Sequence, residues 1–101
     1  MKLSEAMREG AKLRPQGFGS HFPGYHKHGE EGCTSCALGA AMEAAGIGPD
    51  AWHAWPAGQY TLAETFPHGY DYDIVGRVLD MNDKERKTRE EIADWLEGQG
   101  L

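Results

Sequence analysis

The chain has 101 residues, 40% of them hydrophobic and 26% charged, which suits one small globular domain over residues 1–101. A formal charge of −6 excludes general attraction to nucleic acid or anionic lipid, because that needs clustered Lys and Arg. No run nears the ~18 apolar residues of a membrane span, and the charged start MKLSEAMREG lacks the apolar centre of a signal peptide, so a cytoplasmic protein is expected.

Leu3, Ala6, Met7, Gly10, Ala11 and Arg14 recur at three- and four-residue steps, which predicts a first helix that Pro15 stops. Residues 15–33, PQGFGSHFPGYHKHGEEGC, are dense in glycine and proline. They are expected to form an ordered loop, because Phe18, Phe22 and Tyr25 give it something to bury. A second helix is predicted from about Ser35 to Ala45, capped by Thr34 or Ser35. Gly46 suits the left-handed position past its end, and Ile47 can fold back over its last turn. Its alanines and Gly39 make a thin rod that lets neighbours approach closely, so it belongs at the centre of the core.

Short turns are expected at PDAWHAW and TLAETF, with GQYTLAE as the one candidate strand. A third helix is predicted from about Asp71 to Met81, with Val75, Val78 and Leu79 among its apolar positions. In the following stretch, MNDKERKT, Asn82 and Asp83 are expected to form a structural turn. Lys84, Arg86, Lys87 and Arg89 alternate there with acids and read as a solvated face. Thr88 and Glu91 have the spacing of a capping box, Ile92, Trp95 and Leu96 continue it as an apolar stripe, and Gly98 is expected to end the helix. The fold class is therefore mainly α: a small irregular helical bundle with a glycine- and aromatic-rich loop and at most one short hairpin or strand.

The chemistry-bearing residues concentrate in HKHGEEGCTSC, residues 26–36. Cys33 and Cys36 have the two-residue spacing that lets two thiolates reach one tetrahedral zinc, with His26 and His28 as further ligands and His21 within reach. A Cys pair at a helix start also suits redox work, where the helix dipole stabilises a thiolate, but no strand–helix–strand pattern surrounds it. The segment GCTSCALGAA is similar to the helix start of papain-like cysteine enzymes; on that comparison Cys36 is the nucleophile position, with His68 and Asn82 following in Cys–His–Asn order. Against all three stands the simplest reading. Cysteine packs as a small hydrophobe, so Cys36 before Ala37 and Leu38 belongs to the core. The rings at Trp52, Trp55, Tyr60, Phe66, Tyr70 and Tyr72 suit either a satellite core or a protein-binding groove, the core being the simpler reading.

The segments CALGAAMEAAG and NDKERKTREEIADWLE together resemble a family of small uncharacterised bacterial and phage proteins, in which a Cys-x-x-Gly-Ala helix precedes an Asn-Asp turn and a closing helix. The matching positions are Cys36, Gly39, Ala40, Asn82, Asp83, Thr88 and Ile92, in a match that spans about two-thirds of the chain. The resemblance implies no activity, cofactor or substrate. It does imply that the helix start at Cys36 and the Asn-Asp pair meet in space. The leading expectation is an acidic module that binds another protein, without nucleic acid, membrane or cofactor. The alternatives are a zinc-stabilised module on Cys33, Cys36, His26 and His28, and a cysteine-dependent hydrolase or redox protein on Cys36.

Overall fold

The computed structural model describes residues 2–13, 15–17, 36–47, 64–66 and 71–101. Within them lie four α-helices, α1 (Leu3–Ala11), α2 (Ala37–Ala44), α3 (Tyr72–Asp83) and α4 (Arg89–Gly98), and no strand. The protein is mainly α, as its periodicity predicts. The expected turn at PDAWHAW lies outside the described residues, as does the candidate strand apart from Glu64.

Helix α1 buries Leu3, Ala6, Met7 and Gly10, the stripe its spacing predicts, together with Ser4. It ends at Ala11, earlier than Pro15 alone would require. Lys12 and Leu13 donate to the carbonyls of Glu9 and Gly10, three residues back, and these tighter bonds close the last turn. Gly10 explains how α1 meets α2. A Cβ there would lie 1.8 Å from the Ala40 carbonyl oxygen, so the two backbones cross where a side chain is missing.

Helix α2 is central: every residue from Ala37 to Met42 is buried. Its cap is Cys36 rather than Thr34 or Ser35, so the helix begins later than expected. At the other end the Gly46 N–H donates to Glu43 and the Ile47 N–H to Met42, with Gly46 at φ 78°. That pair of bonds satisfies carbonyls the helix leaves open and seats Ile47 on the core, as expected from the Ala-Gly-Ile sequence.

Helix α3 starts where Asp71 accepts the N–H groups of Asp73 and Ile74. Val75, Val78, Met81 and Asn82 form its buried face. The helix runs two residues past Met81, so Asn82 and Asp83 form its last turn and not the connecting one. The connection is made further on, where Arg86 takes the left-handed conformation at φ 52° and the Lys87 N–H reaches back to the Met81 carbonyl. An Arg77–Glu85 ion pair closes over it.

Helix α4 carries the predicted capping box. The Thr88 hydroxyl accepts the Glu91 N–H at 3.1 Å, and the Glu91 carboxylate accepts the Thr88 N–H at 2.9 Å. Gly98 is the last residue of the helix, as expected. The turn that follows is closed at Gly100, at φ 82°, where the Leu101 N–H donates to the Leu96 carbonyl. Arg89 is buried, against the expectation of a solvated basic face. It falls on the same helical stripe as Ile92, Ala93 and Leu96, all of which face the core. Helix α1 packs mainly on α2 and next on α4, while α3 touches both α2 and α4. Phe66 enters this core from outside the four helices. No helix among the described residues is long and apolar enough to cross a membrane.

Candidate functional site

An α-helix begins with N–H groups that have no partner within the helix, and a buried helix start must find them partners elsewhere. At α2 two side chains supply them. The Cys36 thiol accepts the Gly39 N–H at 3.4 Å, and the Asn82 side-chain carbonyl accepts the Ala37 N–H at 3.1 Å. The helix start and the Asn-Asp pair therefore meet, forty-five residues apart in sequence.

Asn82 is fully buried, so each of its polar atoms needs a bond. Its oxygen also accepts from the Gln16 side-chain amide at 2.8 Å, and that amide donates a second bond to the Lys87 carbonyl at 2.8 Å. The Asn82 amide nitrogen donates to the Gly17 carbonyl at 3.0 Å and to the Asp83 carboxylate at 2.7 Å. One side chain thus ties together the chain after α1, the start of α2 and the end of α3. Asparagine suits this position because it offers an acceptor and two donors on one short planar group.

Cys36 is 3% exposed and reduced. The Arg89 guanidinium interacts with it electrostatically. Burial pulls Arg89 below its ordinary pKa, while a thiolate at Cys36 and the Glu43 carboxylate act in the opposite direction. Arg89 also donates to the Ala11 carbonyl at 3.3 Å, at the end of α1. The arrangement places a cation near a helix-start cysteine, and it also encloses that cysteine in packed structure.

A second feature lies on the outside of α4. Glu90, Asp94 and Glu97 recur at four- and three-residue steps and so share one edge of the helix. Arg8 of α1 bonds all three, at 3.1, 2.6 and 3.2 Å, which raises its pKa well above the ordinary value, chiefly through Asp94 and then Glu97. The carboxylates are each more than three-fifths exposed, and one guanidinium against three of them leaves the edge negative.

Of the residues singled out from the sequence, Cys36 and Asn82 come together through the start of α2, and Asp83 bonds Asn82. His26, His28 and Cys33, proposed with Cys36 as zinc ligands, lie outside the described residues, as does His68, proposed as the base of a Cys–His–Asn set. Among the described residues no group of three or more His, Cys, Asp or Glu side chains is arranged to hold a metal ion. Trp52, Trp55, Tyr60 and Tyr70 also lie outside them, whereas Phe66 is buried in the core.

Three residues in these arrangements were missed from the sequence. Arg89 was legible, because it shares the period of Ile92 and Leu96. The Arg8 contacts with α4 and the bonds of Gln16 had no local signal, since their partners are more than sixty residues away. No family model, curated protein or solved structure matches this chain.

Proposed function

We propose that this protein is a binding module that presents the acidic edge of α4 to a basic surface of another protein. The observation that carries the reading is the alignment of Glu90, Asp94 and Glu97 on one exposed edge, with Arg8 bridging them. The chain's net charge of −6 adds a long-range field of the same sign, which speeds encounter with a cationic surface and repels nucleic acid. The α1–α4 contact holds the edge in place before any partner arrives, which lowers the ordering cost of binding.

The test is affinity capture from lysate of the source cells, using wild type and a Glu90→Gln/Glu97→Gln variant that keeps the short Arg8–Asp94 pair. A basic protein retained by wild type at low salt and lost at high salt or with the variant is the expected result. Equal recovery by both proteins at every salt concentration would exclude the α4 edge as the binding surface.

Cysteine-dependent chemistry at Cys36 is the second reading, favoured by the helix-start position of the thiol and the charge of Arg89 acting on it. It requires a reagent to reach a residue that is 3% exposed. Iodoacetamide labelling of the native protein across pH decides it: reaction without denaturant supports a working nucleophile, and reaction only after unfolding removes it. A zinc on Cys33, Cys36, His26 and His28 is a further reading, in which the Cys36 sulfur would ligate the metal while accepting the Gly39 N–H.

A further inference from the structure

We draw no further inference here: the strongest candidate, the buried polar cluster at the start of α2 where Cys36, Asn82 and Arg89 gather, belongs to the site already described, and nothing in the structure points to a ligand there beyond a helix N-terminus and a lone cysteine.

Discussion

The side-chain oxygen of Asn82 accepts the backbone N–H of Ala37, so the last turn of α3 supplies a partner that the first turn of α2 lacks. The same oxygen holds Gln16 and the same amide holds Gly17. Asn82→Ala would leave the Ala37 N–H and the Gly17 carbonyl without these bonds. At ~1–3 kcal/mol for each of the two groups left unsatisfied, a loss of about 2–6 kcal/mol is expected by urea denaturation. Hydrogen exchange at the Ala37 amide should accelerate as well. A loss below about 0.5 kcal/mol, less than one ordinary hydrogen bond, would show that Asn82 does not organise this junction.

Gly10 and Gly76 are both helical glycines, and the structure predicts opposite effects of alanine at the two. An added Cβ at Gly10 meets the Ala40 backbone at 1.8 Å, whereas at Gly76 nothing lies within 4 Å. Gly76→Ala should stabilise by up to about 1 kcal/mol through helix propensity. Gly10→Ala should instead destabilise by ~1–3 kcal/mol, as overpacking does when backbone must move. Thermal unfolding of the two variants checks this. A shift of the same sign in both would place the α1–α2 crossing elsewhere.

The Glu91 carboxyl titrates below its ordinary value, first because it accepts the Thr88 backbone N–H and then through the Thr88 hydroxyl. A depressed carboxyl stabilises the folded state above its unfolded pKa of about 4.3, and that contribution is lost as pH falls through the folded value. Thr88→Ala removes the cap, typically ~1 kcal/mol, and weakens the setting that depresses Glu91. The stability gap between wild type and Thr88→Ala should therefore narrow from pH 7 to pH 3. Unfolding curves at the two pH values measure it, and a gap that widens in acid would contradict the account.

Cys36 caps α2 with its own thiol and is enclosed by core. Serine offers a stronger cap acceptor of similar size, so Cys36→Ser should stay within ~1 kcal/mol of wild type, while Cys36→Val gives up the cap at a typical cost of ~1 kcal/mol. Native mass spectrometry before and after chelation should give one metal-free mass. Loss of a single zinc on chelation would restore the ligand set of Cys33, Cys36, His26 and His28.

Much of the fold was legible because helix signals are local. The stripe Leu3–Ala6–Met7–Gly10, the Thr88–Glu91 box and the Gly46–Ile47 ending all involve residues within a few positions of one another, and all three are present. Helix α4 likewise ends at Gly98, as expected, and Gly100, whose successor Leu101 packs on the core, takes the left-handed conformation. An error fell where two local signals competed. At the start of α2, Thr34 and Ser35 are the better caps by preference, yet Cys36 holds the position, where Asn82 can also reach the helix.

The sequence was sufficient to establish a helical, acidic chain, because composition and short-range periodicity carry that information without reference to distant residues. It also marked Cys36 and Asn82, though without the bonds between their surroundings. Only the tertiary structure decided that Asn82 serves α2, that Arg89 is buried near Cys36, and that Arg8 gathers three carboxylates on α4. Each of those relationships joins residues more than forty positions apart, and such partners are chosen by how helices pack, which no local pattern encodes.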